Sequence, residues 1–124
     1  MDKILITAGA ISAFIAVAAG ALGAHALRAQ ISADMLQVFQ TGVTYQMYHA
    51  LALVAVGILL ARFSSDGSMW LTAAGWLFVA GSVLFSGSLY ALALSGATVL
   101  GAITPVGGVA FLIGWLALAI GIWR

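Results

Sequence analysis

Ile4 to Ala24 reads ILITAGAISAFIAVAAGALGA, and no charged residue interrupts it. A helix that crosses the hydrocarbon layer of a bilayer needs about 20 consecutive, predominantly apolar residues. This run is long enough. Its Ala, Leu and Gly content and its lack of two-residue alternation favour a helix over buried strands. Three further runs meet the same test, so spans are expected at about 4–24, 43–61, 70–94 and 100–123. The expected fold is an all-α membrane protein, a four-transmembrane-helix bundle forming a single membrane domain over 1–124. Lys3, the apolar run and the small residues near Ala24 also fit a signal-peptide template. The apolar run exceeds the roughly 7–15 residues of a signal h-region, so an uncleaved first helix is expected.

The composition narrows the chemistry. The chain is 65% hydrophobic and 6% charged, against about 25% charged in soluble domains. Seven charged side chains cannot cover a water-facing surface of this size, so the apolar residues face membrane lipid. The net charge of +1 provides no basic patch for nucleic acid. Cysteine is absent, which removes disulfides, thiolate nucleophiles and Cys-ligated metals. Glutamate is absent too, the acids are Asp2, Asp34 and Asp66, and Lys3 is the single lysine. No nucleophile–base pair appears at short spacing, and neither an enzyme nor a bound cofactor or metal is expected.

The charges sit at the breaks between spans. With four crossings, Lys3, Arg62 and Arg124 share one side, and Arg28 stands on the other. The positive-inside rule then places both termini in the cytoplasm, with the chain multi-pass in a cell inner membrane. Trp70 and Trp123 fall at the cytoplasmic interface, as an aromatic belt requires. Ser64-Ser65-Asp66-Gly67-Ser68 reads as a solvated turn, and Ser95-Gly96-Ala97-Thr98 as the tight link of a helical hairpin. Between the first two spans, Ile31, Met35, Val38 and Phe39 recur at helical spacing, opposite Asp34, Gln37 and Gln40. With Ser32 as N-cap, this predicts a short amphipathic interfacial helix between helices 1 and 2, joined to the second span at Gly42. A longer, straight second helix is the competing expectation.

Lipid tails are as apolar as leucine, so helices associate in membranes where small residues let backbones approach. Ala16, Gly20 and Ala24 form one such stripe, and Gly9 with Ala13 another. They predict tight packing within one chain or in a homo-oligomer.

Polar side chains within the spans are the functional candidates, because each is costly in hydrocarbon unless paired. Thr41, Tyr45 and His49 follow four-residue spacing, with Gln46 on nearly the same face. Ser82, Ser86 and Tyr90 repeat likewise in the third span, with Ser88 nearby, and Thr104 precedes Pro105 in the fourth. Counting 1.5 Å per residue from Gly42 puts His49 about 10 Å deep. Ser86 and Thr104 fall at a similar depth. One shared ligand site or polar network in the outer half is therefore expected from His49, Tyr45, Gln46, Ser86, Ser88, Tyr90 and Thr104, with His25 at its rim. Pro105, Gly107 and Gly108 admit two readings. They mark either a broken helix lining a cavity or a proline in the first helical turn, where it costs little. His49 is either a proton carrier or ligand, or a neutral imidazole bonded to a neighbouring helix.

Several of these stretches carry a resemblance. Gly20-Ala21-Leu22-Gly23-Ala24-His25-Ala26-Leu27, Phe39-Gln40-Thr41-Gly42 and Tyr45-Gln46-Met47-Tyr48-His49-Ala50-Leu51 resemble a family of small inner-membrane proteins. Leu84-Phe85-Ser86-Gly87-Ser88-Leu89-Tyr90 and Gly101-Ala102-Ile103-Thr104-Pro105-Val106-Gly107-Gly108 do so too. The family is domain-of-unknown-function family 423, also called YgdD-like. The resemblance implies a four-span bacterial inner-membrane protein and brings no catalytic residues with it. Two functions from different classes remain. One is small-molecule or ion transport through the outer-half polar site. The other is a structural or accessory role against a protein partner or lipid.

Overall fold

The computed structural model describes residues 1–63 and 67–124, so residues 64–66 of the expected solvated turn lie outside the described residues. Among the described residues, four helices are long and apolar enough to cross a membrane. They are α1 (Asp2–His25), α2 (Ala33–Arg62), α3 (Ser68–Ser95) and α4 (Thr104–Trp123). Two 3₁₀ turns, Leu27–Ala29 and Thr98–Ala102, lie in the α1–α2 and α3–α4 connections, and no strand occurs among the described residues. The all-helical, four-span architecture is therefore as expected.

One part of the expectation is corrected. No separate interfacial helix precedes the second span, because residues 33–62 form one continuous helix. Ser32 does cap it, accepting a hydrogen bond from Met35 N at 3.2 Å. The apolar face of residues 31–42 packs on the bundle itself, with Phe39 against Leu27 and Ala93. That burial removes the need for a lipid surface. Gly42, the expected joint, is a packing site instead: a Cβ there would lie 2.8 Å from the Tyr90 ring.

The small-residue stripe is used inside the chain. A Cβ on Gly9 would lie 2.7 Å from the Ala50 carbonyl oxygen, and one on Gly20 would lie 3.4 Å from Val43. Along the α3–α4 seam, glycines alternate with rings. Gly81 lies under Phe111, Gly114 under Phe78, and Gly107 against the Phe85 backbone. These approaches supply the dispersion contacts that lipid cannot outcompete.

The half of the bundle nearer the N-terminus has a closed apolar core of Leu5, Leu53, Val56, Leu71 and Phe78. There Leu5 of α1 reaches over Gly75 of α3, 2.5 Å from where a Cβ would stand. Nearer the middle of the bundle, α1 and α3 flank an open groove floored by α2.

Mid-way along α3 the hydrogen bonding widens into a π-turn at Ser82–Ser86, bracketed by Gly81 and Gly87. Such single-turn insertions rotate everything that follows and are frequent at functional sites. Gly96 ends α3 in the left-handed conformation, at φ 71°, where a glycine avoids the Cβ penalty. After the 3₁₀ turn, α4 starts at Thr104 with Pro105 in its first turn. A proline there breaks no helical hydrogen bond, which matches the second of the two readings of Pro105.

Candidate functional site

The expected polar residues divide among separate helix interfaces. The first set sits at the bundle centre. Ser12, Gln46 and Ser82 each fall within two residues of the midpoint of their helices. Gln46 Nε2 donates to the Ser12 carbonyl at 3.1 Å and reaches Ser12 Oγ at 3.2 Å. Gln46 Oε1 accepts from the Tyr90 hydroxyl at 2.5 Å. One amide thus ties α1, α2 and α3 together near the mid-length of α1 and α2.

The second set pins α3 to its neighbours. Ser86 Oγ donates to the Gly42 carbonyl at 2.7 Å, and Ser88 Oγ meets Thr104 Oγ1 at 2.6 Å. Ser86 ends the π-turn and bonds α2, while Ser88, two residues on, bonds α4.

His49 belongs to a third set, between α2 and α4. Its Nδ1 lies 2.7 Å from the Tyr45 carbonyl, and Trp115 Nε1 lies 3.1 Å from its Nε2. A carbonyl only accepts and an indole N–H only donates. The neutral imidazole with its proton on Nδ1 therefore satisfies both nitrogens. The ring stacks on Phe111, with centroids 3.4 Å apart. His49 Nε2 is occupied by Trp115, so a metal or haem iron would have to displace the indole.

Of the other expected members, Tyr45, Pro105 and Gly108 border the groove between α2 and α4 with His49, and His25 stands apart. Tyr45 is 40% exposed and faces the lipid side, where its ring packs on Phe85 at 4.7 Å between centroids. His25 is exposed at the end of α1, distant in sequence and in the fold from the central set. Two partners were missed by the sequence reading. Ser12 is a single hydroxyl in an apolar run, and Trp115 has the composition of a lipid-facing anchor. Their spacing carries no sign of a cross-helix bond.

The central set borders the groove between α1 and α3, a cavity of about 460 Å³ open to the bilayer. Ser12, Gln46, Ser82 and Tyr90 line it among Ile11, Ile15 and Val83. The Ser82 hydroxyl oxygen is buried and has no hydrogen-bond partner among the described residues. A second open groove lies between α2 and α4, bordered by Tyr48, His49 and Trp115. Among the described residues no cluster of His, Asp or Glu is arranged to hold a metal ion.

Removing the central amide tests its role as a tie. Gln46→Leu leaves the Tyr90 hydroxyl without its acceptor, and membrane hydrogen bonds of this kind are worth about 0.6–2 kcal/mol. Gln46→Leu and Tyr90→Phe are each expected to lower the unfolding free energy in detergent by about 1 kcal/mol. The double variant should fall short of the sum, and additive losses would show that the bond contributes nothing.

Fold and site together define a small four-span helical membrane protein, several of whose polar groups bond across its own helices. The chain belongs to the family described as "Protein of unknown function (DUF423)", whose pattern matches residues 19–108. It is 52% identical over 118 residues to the UPF0382 membrane protein YwdK of Bacillus subtilis, covering 95% of this chain and 94% of that one. It is 48% identical over 122 residues to the UPF0382 membrane protein SSP2132 of Staphylococcus saprophyticus, covering 98% of each chain. No solved structure matches the chain.

Proposed function

We propose that this protein binds a small lipid-soluble molecule, which enters the groove between α1 and α3 sideways from the bilayer, and serves that molecule's movement or delivery within the inner membrane. The observation that carries the reading is the central groove itself, which has polar groups at its wall and a buried hydroxyl left without a partner. Its volume of about 460 Å³ falls in the range of about 300–1,000 Å³ usual for small-molecule sites. Ion passage is less well supported. The N-terminal half of the core is an apolar plug of Leu5, Leu53, Val56, Leu71 and Phe78, and the one histidine inside a span is committed to Tyr45 and Trp115. On this reading both termini face the cytoplasm, as the Lys3, Arg62 and Arg124 bias favours.

Gly87 supplies the test. It lines the groove, and a Cβ built on it meets nothing within 4 Å. Gly87→Leu should fill the groove without disturbing the bundle, and it replaces a poor helix former with a good one. Native mass spectrometry of gently extracted protein is expected to show a small lipid-soluble adduct on the unaltered chain and none on Gly87→Leu. Equal adducts on both proteins would overturn the reading.

A further inference from the structure

The hydrogen bonds at the groove leave a definite remainder. The Gln46 amide nitrogen donates to the carbonyl and hydroxyl oxygens of Ser12, and the Tyr90 hydroxyl donates to Gln46 Oε1. Ser12 Oγ acts as an acceptor in this set, and it donates to no acceptor among the described residues. Ser82 Oγ has no partner at all among the described residues. Two hydroxyl protons, one on each wall, therefore lack acceptors. Buried donors without acceptors are rarer in proteins than acceptors without donors, and each is costly where water cannot reach.

The depth of the site and its lack of charge restrict what fills it. Ser12 and Ser82 lie at the mid-length of their helices. The hydrocarbon layer is about 30 Å thick, so phospholipid ester groups sit about 15 Å from its centre and do not reach them. No ionisable side chain other than Tyr90 lines the groove, and an ion at this depth would be uncompensated. A partner's transmembrane helix has its backbone carbonyls already bonded internally.

We propose that the groove holds an uncharged, carbonyl-bearing lipophile at the bilayer centre, its oxygen accepting the hydroxyl protons of Ser82 and Ser12. The inference rests on the groove being a binding site and adds the chemistry of its ligand. Ser82 and Ser12 are then ligand-binding residues, while Gln46 is a positioning residue that holds Ser12 in place.

Photolabelling in lipid nanodiscs separates the two levels. The probes are a decyl-substituted benzophenone, whose ketone both accepts hydrogen bonds and crosslinks, and a decyl diazirine without a carbonyl. The benzophenone is expected to label groove residues such as Ile11 and Val83 at least fivefold more than the exposed Leu116 of α4. Ser82→Ala should lower that labelling at least threefold and leave the diazirine pattern unchanged. A long-chain ketone should compete, and an alkane of equal length should not. Ser82→Ala should also melt no lower than the unaltered protein, since it removes an unpartnered hydroxyl, and this separates lost binding from lost folding. Groove labelling that ignores the carbonyl and the Ser82 substitution would overturn this inference and leave the groove reading standing. Labelling no greater in the groove than at Leu116 would overturn both. Displacement of the label only by a co-reconstituted membrane protein would overturn it in favour of a helical partner.

Discussion

Gly107→Val is expected to abolish the folded bundle. A Cβ at Gly107 would run into the backbone nitrogen and Cα of Phe85. Those are main-chain atoms inside the π-turn, and no side-chain rotation relieves the clash. Overpacking a core typically costs about 1–3 kcal/mol and occasionally more. A backbone obstacle puts this substitution at or above about 3 kcal/mol, a loss of more than 100-fold in the folded-to-unfolded ratio. The readout is the fraction that elutes as a single species in mild detergent and resists SDS unfolding. Gly108→Ala is the control, because its Cβ would lie 3.8 Å from the Phe85 ring, an ordinary contact. That variant should behave as the unaltered protein. Equal tolerance of both substitutions would mean that α3 and α4 do not approach as closely as described.

The second large effect is at His49. His49→Ala removes a ring stacked on Phe111, leaves a cavity beside Phe78, and orphans the Trp115 indole N–H. Truncating a buried ring to alanine costs about 3–5 kcal/mol, and the abandoned donor adds to that. His49→Phe keeps the stack and loses only the polar contacts, so it should recover more than half of the loss. Both can be read by SDS or urea unfolding, followed through intrinsic tryptophan emission. Neither should change probe labelling between α1 and α3, which lies against another face of α2. A His49→Phe protein that kept its stability and lost groove labelling would reverse this division between the two grooves.

Hydropathy made the four spans readable, because crossing a bilayer demands a property that accumulates over twenty residues. The tight hairpin at Gly96 and the Ser32 cap were readable for local reasons, each depending on one backbone conformation or one side chain. The continuity of α2 was not. An apolar face on residues 31–42 is equally suited to lipid and to the bundle's own end, and only the position of Leu27 and Ala93 decides between them. The polar pairings were hidden for a similar reason. A hydroxyl or amide shows which face it occupies, not which neighbour it meets. The π-turn then alters the faces of α3 beyond Ser82, so straight-helix spacing misaligns Ser86, Ser88 and Tyr90 relative to Ser82. Gly81 and Gly87, bracketing the turn, were the available hint.

The order in which the helices touch bears on how the protein is made. Neighbours in the chain carry the main seams, α1 on α2 and α3 on α4. A chain released span by span into a bilayer would meet each partner on arrival, with short loops to close and little searching. The Leu5 contact across to Gly75 and the Tyr90 bond to Gln46 are then the last to form. The cleft they frame would come into being only once the whole chain has been inserted.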